Sequence, residues 1–125
     1  MSKRTVTDLI LTFLCLAFFF SCSRPYLADQ MAFGIWAAEK DLWDEAIFRW
    51  KKVLVENPIS VAAHNNLAVA YERKGMWEEA RNEYELALKL APQNSWVKSN
   101  YQNFKQNIES SEKKKKEEAA KDEKK

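Results

Sequence analysis

Few side chains in this chain of 125 residues are suited to bond-making chemistry. His64 is the sole histidine, and the cysteines are Cys15 and Cys22. An activated nucleophile or a metal centre needs several such groups together, and we find no such set around one histidine. The acidic pair Glu78 and Glu79 is explained by the first turn of a predicted helix, where the helix dipole favours negative charge. We therefore predict a non-enzymatic protein without cofactor or metal, in which His64 is a partly exposed polar residue.

Cys22 follows an apolar N-terminal segment. Lys3 and Arg4 precede a run of 12 residues, 9–20, that is apolar except for Thr12. A helix that spans a bilayer needs about 20 apolar residues. A short basic start followed by a short apolar run is typical of a secretory signal peptide, so we expect the chain to be exported.

Residues 19–22, Phe-Phe-Ser-Cys, resemble the lipobox of bacterial lipoproteins. In that motif a small residue, here Ser21, precedes the cysteine that becomes lipidated and N-terminal. Phe19 departs from the motif, since leucine is usual at that position. The resemblance implies that Cys22 is the first residue of the mature chain and carries the lipid. The alternatives are ordinary cleavage after Ser23 and an uncleaved anchor.

A lipidated cysteine implies a location in the bacterial cell envelope, with the protein anchored to a membrane. A diacylglyceryl group plus an N-acyl chain exceeds the two-anchor threshold for stable attachment. Serine at position 23, rather than aspartate, is the pattern associated with sorting to the outer membrane, and we favour its periplasmic face. Residues 1–21 would then be the lipoprotein signal peptide, and residues 22–25 a short linker.

The composition of the remainder indicates one small helical domain with a charged tail. Two glycines and three prolines are too few for a turn-rich β fold. A net charge of +2 is not the footprint of a nucleic-acid-binding protein. Residues 111–125 are rich in lysine and glutamate and contain no large apolar side chain, so we predict a disordered or frayed helical tail there.

The chain repeats itself with a period of 34 residues. When residues 27–58 are aligned with residues 61–92, seven of the 32 pairs are identical: Ala28/Ala62, Lys40/Lys74, Trp43/Trp77, Glu45/Glu79, Ala46/Ala80, Leu54/Leu88 and Pro58/Pro92. The second copy reads Leu67-Ala68, then Tyr71, Gly75, Ala80, Tyr84 and Pro92. This pattern resembles the tetratricopeptide repeat, a helix–turn–helix unit. The first copy departs from it at Ala37, where tyrosine is usual, and at Asp41, where glycine is usual.

The resemblance implies an all-α fold, a short tetratricopeptide-repeat solenoid of two helix–turn–helix repeats and a C-terminal capping helix. The domain would cover residues 26–110, with repeats at about 27–60 and 61–94. We predict helices over residues 26–38, 43–56, 59–73, 77–90 and 95–110, the last being the cap.

Alternating small and large residues are expected to build the core of this solenoid. The small residues Gly34, Ala46, Ala68 and Ala80 would let the helices approach closely. The space between the helices would be filled by Phe33, Trp50, Leu67, Tyr71 and Tyr84, with Trp43 and Trp77 also at packing positions. Trp36 and Trp96 are the tryptophans that packing does not require.

The candidate site is the concave groove that the first helix of each repeat lines in this family. Apolar side chains alternate there with asparagine amides, which can pair with both the N–H and the C=O groups of an extended peptide. The predicted partner-binding residues are Met31, Ile35, Asn65, Asn66, Val69, Arg73, Trp96, Asn100 and Asn103. The alternative is that these amides are solvated surface residues in a groove too short to bind a partner.

These expectations combine into a membrane-anchored, non-enzymatic adaptor of the cell envelope that binds a partner protein or peptide through the groove. The alternative function is a self-associating structural subunit, a weak homo-oligomer, that uses the open face of the first repeat. Trp36, Ile47 and Phe48 motivate this alternative, because no preceding repeat is present to cover them.

Overall fold

The computed structural model of this protein describes residues 23–122, and all regular structure in that range is helical. Five helices follow one another: α1 (Ser23–Glu39), α2 (Trp43–Glu56), α3 (Val61–Arg73), α4 (Trp77–Leu90) and α5 (Ser95–Asp122). The predicted all-α fold is confirmed, and the arrangement agrees with the short solenoid expected from the repeats. The predicted signal peptide, Cys22 and residues 123–125 of the tail lie outside the described residues.

Neighbouring helices pack against one another in chain order. Helices α1 and α2 form one hairpin and α3 and α4 form a second, while α2 packs against α3. Helix α5 packs against α4 and also contacts α3, so it closes the end of the stack. Within residues 23–122, no helix combines the length and the apolar character that crossing a bilayer requires.

The two hairpin turns share one backbone conformation but use different residues. Gly75 between α3 and α4 has a φ of 71°, and Asp41 at the equivalent position between α1 and α2 has a φ of 58°. Both values lie in the left-handed region, which glycine adopts without steric cost and which aspartate tolerates better than most residues. Asp41 therefore forms the turn that the repeat pattern assigns to glycine.

Side-chain caps fix the starts of α3 and α5. The Ser60 hydroxyl accepts a hydrogen bond from the Ala63 N–H at 3.3 Å, so α3 begins at Val61, slightly later than predicted. The side-chain Oδ1 of Asn94 accepts hydrogen bonds from the N–H groups of Trp96 at 3.1 Å and of Val97 at 3.2 Å. Both caps satisfy N–H groups that lack a partner within the helix.

The core contains most of the residues that the alternation of small and large side chains predicts. Trp50, Leu67, Tyr71 and Tyr84 are buried, and the small residues beside them, Ala46, Ala68 and Ala80, have no exposed surface. Helix α5 adds Val97 and Phe104 to the buried set. The core is therefore continuous through both hairpins and the cap.

Three residues depart from the packing prediction. Phe33 is 41% exposed, because no helix in the described part of the chain precedes α1 and covers it. Trp77 is 38% exposed, since only part of its ring meets Phe104, at a centroid distance of 6.2 Å. Ile47, which we expected to be uncovered, is buried within the first hairpin.

Helix α5 continues beyond the packed part of the structure. Ile108 is partly buried against the core, whereas residues 112–117 are exposed. The helix bounds place the charged segment as far as Asp122 in the same helix as the cap. The lysine and glutamate side chains of residues 112–117 therefore meet solvent and do not contribute to the core.

Candidate functional site

Helices α1, α3 and α5, together with side chains of α2 and α4, line a groove that is made of two adjoining pockets. The first, which we call the tryptophan pocket, has a volume of about 320 Å³. The second, the asparagine pocket, has a volume of about 620 Å³. Val69 of α3 lines both pockets, so the two adjoin at this residue.

The tryptophan pocket is mainly apolar. It is lined by Ile35, Ala38, Glu39, Trp43, Trp50, Asn65, Asn66, Val69 and Trp96. Five predicted partner-binding residues are among them: Ile35, Asn65, Asn66, Val69 and Trp96. The indoles come from α2 and α5 and the amides from α3, so the pocket exists only when both hairpins and the cap are in place.

The asparagine pocket is more polar. It is lined by Val69, Glu72, Arg73, Trp77, Tyr84, Asn100, Asn103 and Asn107, which include the predicted residues Val69, Arg73, Asn100 and Asn103. Met31 is the predicted site residue that lines neither pocket. Its side chain is half-buried against the core, and its carbonyl oxygen accepts a hydrogen bond from Trp50 Nε1 at 3.4 Å.

The amide of Asn65 is buried and joins α3 to α5. Asn65 has no exposed surface, and its Oδ1 accepts a hydrogen bond from Asn100 Nδ2 at 3.0 Å. Its own Nδ2 is buried without a hydrogen-bond partner among the described residues. Asn65 and Asn100 therefore use part of their hydrogen-bonding capacity on each other. Asn66 is half-exposed and Asn103 is exposed in the groove.

Glu72 accepts hydrogen bonds from two other residues that line the asparagine pocket. Its carboxylate accepts a hydrogen bond from the Tyr84 hydroxyl at 3.2 Å and from Asn107 Nδ2 at 2.9 Å. Burial raises the pKa of the Tyr84 hydroxyl, and the negative charge of Glu72 raises this pKa further. The hydroxyl therefore stays protonated and serves as a donor that fixes Glu72 between α4 and α5.

Sequence reasoning missed several groove residues. Asn107 continues the series of Asn100 and Asn103 at helical spacing, so extending that series would have found it. Trp43 was assigned to packing; it is half-buried, and the guanidinium of Arg73 lies 5.6 Å from its ring. Trp43 lines the pocket only because α1 and α3 leave space between them beside this residue. No local sequence pattern predicts that space.

His64 is buried, and the expectation of partial exposure is wrong. Nδ1 lies 2.6 Å from Glu83 Oε2, and Nε2 lies 2.9 Å from the Pro58 carbonyl oxygen. Both neighbours are acceptors, so the ring ties α3 to α4 and to the preceding turn. The role of His64 is therefore structural. Within residues 23–122, no group of His, Cys, Asp and Glu side chains is placed to hold a metal ion.

Known proteins share the repeat pattern with this chain. The tetratricopeptide repeat family matches residues 61–94, which are α3, α4 and the turn after them. The Protein O-mannosyl-transferase TMTC4 of Mus musculus is 37% identical to this chain over 63 residues. That stretch is 50% of this chain but 8% of the mouse protein, so the chain spans a small part of this relative's length. Residues 61–94 thus match the tetratricopeptide repeat family.

Proposed function

We propose that this chain is a membrane-anchored, non-enzymatic adaptor of the bacterial cell envelope that binds a partner protein or peptide through the groove. The observation that supports the proposal most is the groove itself. It joins an apolar pocket of about 320 Å³ to an amide-rich pocket of about 620 Å³. Apolar pockets hold side chains, and amides pair with main-chain groups, so the combination suits an extended protein segment.

The available amides favour a segment that lies along α3 and α5. Within residues 23–122, neither Asn66 nor Asn103 has a side-chain hydrogen bond, and both line the groove. Each amide offers donors and an acceptor to a peptide backbone. Arg73 lies in the same pocket as Asn103 and adds a donor for a carbonyl or carboxylate.

The N-terminal residues support the membrane anchor. The lipobox-like residues 19–22 predict a lipid on Cys22, and the next residue, Ser23, is already part of α1. A lipid on Cys22 would therefore hold the domain close to the membrane surface, with little spacer. We infer an outer-membrane location on the periplasmic face, from the serine that follows the cysteine.

Self-association is the second candidate function, favoured by the contrast between the two ends of the stack. Phe33 and Trp36 of α1 are 41% and 47% exposed, and their rings are 5.1 Å apart. Phe48 is 49% exposed, and the Arg49 guanidinium lies 4.3 Å from the Phe33 ring and 5.6 Å from the Phe48 ring. The outer face of α5 is polar, so a second copy would meet the α1 end rather than the cap.

Site-specific photocrosslinking from intact membranes tests the adaptor proposal. A photoreactive residue at Asn103, which lines the groove, should capture a partner. The same residue at Gln102, its exposed neighbour on α5 that lines neither pocket, is the matched control. Equal capture from both positions would count against the groove, and capture of a second copy from Trp36 alone would favour self-association.

A further inference from the structure

The tryptophan pocket is large enough to admit an aromatic side chain, and its lining suits one. Its volume of about 320 Å³ is at the lower end of the range for ligand pockets, about 300–1,000 Å³. The indoles of Trp43, Trp50 and Trp96 line it, and Glu39 is the one charged residue among its described lining residues. Such walls favour an uncharged aromatic group, since aromatic rings pack well in offset or tilted contacts.

The Asn65 amide adds a polar requirement to this apolar pocket. Asn65 lines the pocket with no surface open to water. One of its amide atoms pairs with Asn100, and the other has no partner among residues 23–122. Turning both amides over would exchange donor and acceptor and still leave one Asn65 atom unpaired. A buried polar atom without a partner is destabilising, and a ligand that supplies a partner removes this penalty.

We propose that the tryptophan pocket binds a tyrosine side chain of the partner segment, with the tyrosine hydroxyl paired to the unpartnered amide atom of Asn65. A phenolic hydroxyl both donates and accepts, so it suits either orientation of the amide. Phenylalanine would contact the aromatic walls but leave the amide unpaired, and serine could pair with the amide but would make little contact with the aromatic walls. This inference rests on the proposed function, in which the groove binds a protein segment.

Access to Asn65 requires a movement at the pocket's edge. The exposed lining residues are Glu39 and the apolar residues Ile35 and Trp96, the latter two at 46% and 54%. Because Asn65 itself is fully covered, the tyrosine hydroxyl enters only when one of these side chains shifts. Trp96 lies in the first turn of α5 and can then pack on the tyrosine ring.

Two neutral five-residue peptides test the proposal, Ac-Gly-Ser-Tyr-Ser-Gly-NH2 and its phenylalanine counterpart. Each is titrated into the full chain in detergent while the tryptophan indole and asparagine side-chain N–H resonances are followed by NMR. The tyrosine peptide should bind about fivefold to tenfold more tightly, which is the effect of one net hydrogen bond. Equal affinities, tighter binding of phenylalanine, or no shift of these resonances with either peptide would overturn the proposal.

Two variants separate this result from other causes. Trp96→Ala should weaken both peptides by a similar factor and keep the preference for tyrosine. Asn65→Leu should remove the preference for tyrosine or reverse it, with circular dichroism as the check on folding. A preference for tyrosine that survives in a folded Asn65→Leu variant contradicts the assigned role.

Failure of the peptide test together with successful crosslinking at Asn103 would reject the tyrosine pocket and leave the adaptor function standing. The reverse pair of results would reject the adaptor function and leave only the preference of the pocket for a tyrosine side chain.

Discussion

The indole ring of Trp50 lies against the backbone of Gly34, so closely that no side chain fits between them. A Cβ atom built on Gly34 would lie 2.3 Å from Trp50 Nε1 and 2.7 Å from Trp50 Cε2. The indole is almost fully buried, and its Nε1 donates a hydrogen bond to the carbonyl oxygen of Met31. The two helices of the first hairpin therefore meet at a contact that requires glycine.

Gly34→Ala is expected to destabilise the protein. The added methyl group would push the indole away from α1 and break its hydrogen bond to Met31, and overpacking of this kind costs about 1–3 kcal/mol. Urea unfolding followed by circular dichroism measures the loss. Trp50→Leu removes the bulk that the methyl meets, so in that background the cost of Gly34→Ala should become much smaller. Additive costs in the double variant would show that the ring does not determine the need for glycine.

The turn residues Asp41 and Gly75 provide a matched pair of opposite predictions. Asp41→Gly should raise the free energy of unfolding by about 0.5–1 kcal/mol, because it relieves a left-handed non-glycine residue. Gly75→Ala should lower it by about 1–2 kcal/mol. In the part of the chain that the structure describes, no atom lies within 4 Å of a Cβ built on Gly75, so this cost is conformational. Thermal unfolding measures both, and stabilisation by Gly75→Ala would contradict the shared turn geometry.

The exposed end of α5 should not contribute to stability. Removing residues 112–125 deletes side chains that are exposed where described and leaves Ile108 in its contact with the core. The melting temperature should stay nearly constant, while the total helical signal should fall in proportion to the number of helical residues removed. Truncation before Phe104, which is 1% exposed, should instead unfold the cap. A large drop in melting temperature on the shorter truncation would mean that the charged segment packs on the domain.

Cys22→Ser tests the anchor separately from the fold. Cys22 precedes α1, so the substitution should not change the melting temperature of the domain. The wild-type protein should partition into detergent and begin at Cys22, whereas the variant should be soluble or remain an uncleaved precursor. Intact mass spectrometry decides between these outcomes, since a mature wild-type chain that starts at Arg24 without lipid would reject the lipoprotein proposal.

The fold was predictable because the same types of residue recur at equivalent positions of the two repeats. Gly34, Ala46 and Ala80 sit where helices approach, and the large residues around them recur at the same spacing. The departure from the repeat pattern at Asp41 did not change the geometry of the turn, because its backbone reaches the conformation of Gly75. Phe33 was mispredicted because position in a repeat does not show whether a neighbouring helix covers it.

The candidate site was predictable only at the level of helix faces. Helical spacing placed Asn65, Asn66 and Asn100 on the correct helices, but their distances across the groove depend on how α3 and α5 diverge. The pairing of Asn65 with Asn100 joins residues on different helices, and the bond from Asn107 to Glu72 does so too. No local pattern encodes such contacts, so the bond between the buried Asn65 and the half-buried Asn100, and the accessibility of Asn66 and Asn103, came from the structure.

The most direct measurement of the central claim is partner capture by a groove variant with an intact fold. Asn66→Ala/Asn103→Ala is the appropriate double variant, because Asn100 supports Asn65 and its removal would disturb the domain. Losing two hydrogen bonds to a partner should weaken affinity about tenfold or more. Gln102→Ala/Gln106→Ala, on residues of α5 that line neither pocket, is the control. We predict that the amount of the crosslinked partner captured in a quantitative pull-down falls for the groove variant and not for the control. Helicity and membrane attachment should be unchanged in both variants. Unchanged capture by the groove variant, together with loss of capture by Trp36→Ala, would contradict this account.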